Sequence, residues 1–233
     1  MSAVCIVRQV ALPIGLITAL ILSAPAASAG MITYTDYTVD LSGMGFGHVP
    51  PVLEVQAKGH GTTEWGAVSW TGTDDLLSGD AKSAGSNTRS INELLAEGLT
   101  QDLFGIVLNI NENVGRDVTV QAFSLDIYAP TGGAPIFSVP LVGGPLTLPQ
   151  AEPGQGGAGH LFLVQLTDEE WKTYFAGAPA NRIGMSIPSD QPIQNVSGGG
   201  ESFTVAAIPE PAAVAILAAG SVIVVSSRPR RTC

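Results

Sequence analysis

Apolar and polar positions alternate with a period of two through most of the segment 30–207. Thr33 to Leu41 is rich in Thr and Tyr and reads as a strand. Val52 to Ala57 and Glu64 to Trp70 predict two more. Gly105 to Ile110 and Val118 to Tyr128 are the clearest pair, and the polar stretch Asn111 to Arg116 between them predicts a hairpin turn. Within the second of these the apolar set changes parity. Val118, Val120 and Ala122 share one face, whereas Phe123, Leu125 and Ile127 share the other. A bulge, or a strand that passes between two sheets, produces such a switch. Ile136 to Val139 and Leu146 to Leu148 are short strands between Gly/Pro turns, and Gly159 to Leu166 reads as fully buried. Asn181 to Ile187 and Ser202 to Ala206 close the series. Two capping boxes interrupt it. Ser90-Ile91-Asn92-Glu93 predicts a helix over Ile91 to Glu97, and Thr167-Asp168-Glu169-Glu170 predicts one through Phe175, with Trp171 and Phe175 on its buried face. About eight short strands with two short helical insertions predict an all-β sandwich over 30–207.

The two ends follow other rules. Arg8, the apolar run Val10 to Leu22 and the small residues Ala27-Ser28-Ala29 have the order of a signal peptide over 1–29, with cleavage after Ala29. Residues 208–233 carry Pro209-Glu210-Pro211, the apolar run Ala212 to Val225 and the bases Arg228, Arg230 and Arg231. As a helix the run covers about 21 Å, short of the ~30 Å of a bilayer core. A basic end that stays cytoplasmic puts the preceding domain outside, in agreement with the signal peptide. The two prolines keep Ile208 to Glu210 extended, a backbone that a processing enzyme can grip.

This order of parts resembles the PEP-CTERM sorting signal, carried here by Pro209-Glu210-Pro211, the apolar helix and Arg230-Arg231. The resemblance covers residues 208 to 231. It implies recognition by an exosortase, a membrane cysteine transpeptidase-like enzyme, after signal peptidase has acted. Cleavage near the motif, then release or attachment at the surface of an exopolysaccharide-producing bacterium, is also implied. The closing segments, Asn181 to Met185 and Gly198 to Val205, look like the last strands of extracellular sandwich domains that precede this signal. That second resemblance implies architecture only.

Charge narrows the function classes. Segment 30–207 has 6 basic and 19 acidic residues, a net of −13, which repels nucleic acid and anionic lipid. Both cysteines, Cys5 and Cys233, lie in the ends, so the trimmed domain relies on its hydrophobic core alone. Asn109, Asn111, Asn113 and Asp117 alternate like calcium ligands, but Val114 breaks the register of a calcium loop; a hairpin turn is the expectation and Ca2+ the alternative. Asp74, Asp75 and Asp80 read as a solvated loop, and His48, His60 and His160 as loop or strand-end residues outside any metal spacing. Trp65 and Trp70, five apart, fall on opposite faces of a strand: one in the core, one on the surface. Asn195-Val196-Ser197 fits a glycosylation sequon. No G-x-S-x-G, phosphate loop or CxxC occurs. The expected function is that of a non-enzymatic, exported structural or adhesive protein needing no cofactor. The alternatives are a carbohydrate- or calcium-binding module contacting exopolysaccharide, and a polysaccharide-active enzyme.

Overall fold

The computed structural model describes residues 30–40, 50–59, 61–112, 116–149, 158–197 and 199–208. The signal peptide, Pro209-Glu210-Pro211 and the apolar and basic tail lie outside the described residues, as do His48, His60 and Asn113. In chain order the elements are β1 (Met31–Asp40), β2 (Leu53–Val55), β3 (Thr63–Glu64), β4 (Gly66–Trp70), β5 (Asp75–Gly79), β6 (Arg89–Ser90) and α1 (Ile91–Ala96). There follow β7 (Phe104–Asn109), β8 (Asp117–Val120), β9 (Ser124–Tyr128), β10 (Phe137–Pro140), β11 (Leu146–Pro149) and β12 (Ala158–Gln165). The last are α2 (Asp168–Glu170), β13 (Arg182–Ile187), β14 (Ile193–Gln194) and β15 (Glu201–Ala207).

The strands form three antiparallel sheets, in the orders β1-β12-β7-β15-β2, β10-β9-β13-β4-β5 and β11-β8-β14-β3, with β6 paired to β13. The second and third sheets repeat one order. Each of their four shared positions is filled by two strands consecutive in the chain: β10 and β11, β8 and β9, β13 and β14, β3 and β4. They are therefore two halves of one bent surface that faces the first sheet across the core. The parity switch at Ala122 and Phe123 marks one crossing of the bend. Val118 and Val120 are buried in one half, and Leu125 and Ile127 in the other. Phe123 sits at the corner and packs on Phe162 and Phe203 of the first sheet, with ring centroids 5.1 Å away in both cases.

Both capping boxes form. Ser90 Oγ accepts from the Glu93 N–H while a Glu93 carboxylate oxygen accepts from the Ser90 N–H. Thr167 and Glu170 do the same at α2. After Glu170 the helix widens into a π-turn over Trp171–Ala176. There Trp171 stacks on Phe175, 5.1 Å between centroids, and Phe175 meets Phe104 edge-on.

Four expectations change. The described residues hold fifteen strands, not about eight, because the bend divides the segments Glu64 to Trp70 and Val118 to Tyr128 and because β5, β6 and β14 escape the periodicity. β7 and β8 make no hairpin. Both edges of β7 are occupied, by β12 and β15, so the chain after Asn109 leaves that sheet and crosses to the other. Neither tryptophan of the pair is in the core: Trp65 is exposed, and Trp70 is half-buried beneath the Arg182 guanidinium, 4.2 Å from the ring centroid. Ile208, assigned to the tail by sequence, belongs to the domain. Its N–H donates to Leu103 O, and its side chain fills the notch over Gly105, where a Cβ would stand 2.3 Å from Ile208 Cδ1.

Candidate functional site

Three glutamates from distant segments meet at one end of the sandwich. Glu64 ends β3, Glu112 lies in the crossing after β7, and Glu201 opens β15. Glu64 and Glu201 are fully buried, and Glu112 is 5% exposed. Glycine makes the approach possible. A Cβ on Gly199 would lie 1.3 Å from Asn111 O, so only the bare backbone lets this segment press against Asn111 and Glu112.

Main-chain donors fix two of the acids from outside. Glu64 Oε1 accepts from the Ala57 N–H at 2.7 Å. Both oxygens of Glu112 accept from the Ser197 N–H at 2.8 Å, and Glu112 Oε2 also accepts from the Ser197 hydroxyl. The Glu201 carboxyl lies against the side chains of Glu64 and Glu112. Beyond those carboxyl contacts, Glu64 Oε2 and both oxygens of Glu201 have no hydrogen-bond partner. The salt bridges among the described residues, Lys82 with Glu54 and Arg89 with Glu97, do not involve the cluster. Burial, reinforced by the Glu64 and Glu112 carboxyls, pushes Glu201 up to about 11. Burial is also the main cause that raises Glu64, against the opposing hydrogen bonds from Glu201 and the Ala57 N–H. Glu201 is thus held as a neutral carboxyl, and Glu64 is shifted in the same direction. Among the described residues, no three His, Cys, Asp or Glu side chains form a ready metal centre.

The residues singled out by sequence are dispersed. Asn109 pairs with Ser202 inside the first sheet and Asp117 with Pro149 in the third, while Asn111 is exposed. It is the acid between them, Glu112, that turns inward. Asp74, Asp75 and Asp80 are not one solvated loop. Asp75 begins β5 and accepts from the Thr88 hydroxyl, Asp80 accepts from the Trp65 N–H at 3.2 Å, and Asp74 from the Thr73 hydroxyl at 2.9 Å. His160 is not at a strand end but 2% exposed within β12, with Nδ1 3.1 Å from the Tyr34 hydroxyl and Nε2 2.6 Å from Pro149 O. Tyr37 and Trp65 are exposed, but Tyr37 is in β1 and Trp65 joins β3 to β4 in the opposite layer. Ser197 of the sequon is engaged by Glu112. Among the described residues no helix is long and apolar enough to cross a membrane.

These features define an all-β sandwich with a buried acidic cluster at one pole. Comparison with protein-family models, curated proteins and solved structures finds no match.

Proposed function

We propose that the protein is exported and sorted to the cell surface or exopolysaccharide matrix through Pro209-Glu210-Pro211, and that its sandwich serves there as a non-enzymatic structural or adhesive module. The observation that carries this reading is the pairing of a signal-peptide pattern at 1–29 with a tripeptide, a 14-residue apolar run over 212–225 and an arginine cluster at the other end. The fold is compatible with both ends meeting one membrane. Thr33, Leu163, Gly105 and Ala206 lie in a single row across β1, β12, β7 and β15. The domain's first and last strands therefore begin and end at the same pole, three strand spacings or ~14 Å apart. The non-enzymatic part rests on burial: the acids that converge are closed to a polysaccharide chain, whereas glycoside hydrolysis needs two carboxyls flanking a cleft.

Mass spectrometry of the protein from its own host tests the sorting. A mature chain that begins at Gly30 and ends near Ile208 is expected. An intact Thr232-Cys233 end in the exported pool would reduce the tail to an ordinary anchor.

A further inference from the structure

We propose that Glu170 is a binding site for the α-ammonium group that leader removal creates at Gly30, so that cleavage after Ala29 locks the start of β1 onto α2. The inference deepens the sorting reading and rests on it in one point, the cut after Ala29. Hydrolysis of the Ala29–Gly30 bond consumes one water, leaves a carboxylate on Ala29 and turns the Gly30 amide into an ammonium at neutral pH. Three observations carry the site. First, the fold brings the partners together by register. Met31, the first residue of β1, pairs with Gln165, the last of β12, and α2 follows from Asp168. Gly30 N thus comes to 2.9 Å from Glu170 Oε1, although 140 positions separate the two residues. Second, the half-buried carboxylate is held in place by its own helix. Glu170 Oε2 accepts from the Thr167 N–H at 2.8 Å and from the Thr167 hydroxyl at 2.9 Å, which leaves Oε1 to Gly30. Among the described residues no basic side chain is in ion pair with Glu170. Third, the position is enclosed. Gly30 is buried, and a Cβ there would stand 2.7 Å from Leu166 Cδ2 and 3.3 Å from both Gln165 O and Phe137 Cζ. Phe137 is itself backed by Tyr174, stacked with ring centroids 4.4 Å apart. These apolar walls exclude water from one side of the pair, which strengthens it. The amide donates one neutral hydrogen bond to Oε1, whereas the ammonium brings a full charge, and charge-assisted bonds are about twice as strong. The register is strict. One extra residue puts the charge about 3.3 Å further along an extended chain, and one fewer removes the docked nitrogen.

The test uses the full chain with a protease-recognition sequence written over residues 25–29, so that one sample is measured before and after a cut that exposes Gly30. The cut should raise the melting temperature by roughly 2–8 °C. The Gly30 amine should also react with an acylating reagent roughly tenfold more slowly than a free N-terminal glycine. Glu170→Gln should abolish both effects, since a side-chain amide carries no charge. Its effect on the capping contact with Thr167 is common to the cut and uncut chains and cancels in the comparison. Glu169→Gln, at the exposed neighbouring acid, should keep both effects. No rise on cutting, or a rise that persists in E170Q, would overturn the site. So would a rise lost in E169Q, which would assign the gain to the general negative field of this turn. If E170Q does not fold, the cut chain acetylated at Gly30 alone decides, because acetylation restores a neutral amide and should cancel the gain; an unchanged melting temperature would overturn the proposal. A host chain that begins elsewhere than Gly30 would overturn the leader reading and with it the use of the site. A missing gain in the cut protein overturns the site and leaves the leader reading standing.

Discussion

The carboxyl cluster makes the stability of the protein fall as pH rises. Glu201 has a pKa near 4.5 when unfolded and about 11 when folded, and Glu64 moves in the same direction. Between those limits the folded state binds more protons than the unfolded one. The slope of unfolding free energy against pH is proportional to protons bound unfolded minus folded, so it is negative. This contribution is fully present below pH 4.5 and is lost progressively towards pH 11. One proton corresponds to at most about 1.4 kcal/mol per pH unit, so Glu201 removes up to roughly 3 kcal/mol between pH 6 and pH 8. That is a large share of the 5–15 kcal/mol typical of a domain. Urea denaturation at half-unit steps from pH 5.5 to 8.5 reads the slope directly. Glu201→Gln supplies the control, because an amide mimics the neutral carboxyl and cannot ionise. Every group outside the cluster is common to both proteins, so the difference between the two slopes reads Glu201 together with its effect on Glu64. E201Q should equal or exceed the parent above pH 7 and lose about one proton's worth of slope. A parent profile that is flat or rising over pH 6–8, or an identical profile in E201Q, would refute the reasoning.

Two other perturbations probe the frame. Phe123→Ala removes the corner ring that bridges the bend to Phe162 and Phe203, and should cost 3–5 kcal/mol by chemical denaturation, with Phe123→Leu costing under about 2. Gly30 N lies 2.9 Å from Glu170 Oε1, so trimming after Ala29 would turn that amide into an α-ammonium paired with the carboxylate; Glu170→Gln should then destabilise a chain beginning at Gly30 by ~1–2 kcal/mol more than the untrimmed chain, measured by paired urea melts.

What the sequence disclosed depended on whether the cause was local. Ser90 with Glu93 and Thr167 with Glu170 are reciprocal bonds across three residues, so the boxes were legible. The parity change from Val120 to Phe123 was legible because period two ties each residue to a face. Partner choice was not. β7 pairs with β12 and β15, far along the chain, and the polar stretch after it looks the same whether it closes a hairpin or crosses the core. β5 was missed because Asp75-Leu76-Leu77-Ser78-Gly79 has no β-branched residue and exists through its pairing with β4. The glutamate cluster left no trace at all. Nothing in the spacing of Glu64, Glu112 and Glu201 joins them, because the fold brings them together from three distant segments.

β15 links the two ends of the sandwich. It begins at Glu201 in the carboxyl cluster and ends at Ala207, one residue before Ile208 plugs the notch over Gly105. Seven residues of strand separate these poles by about 20 Å. If both hydrophobic ends of the precursor meet the membrane, the acidic pole is the one turned away from it, towards the medium. Cleavage after Ala29 and beyond Ile208 would then cut outside every packed strand, because Gly30 is already held at Glu170 and Ile208 at Leu103. A domain trimmed in that way would keep every core contact made by the described residues. Its stability would then be left to the hydrophobic core.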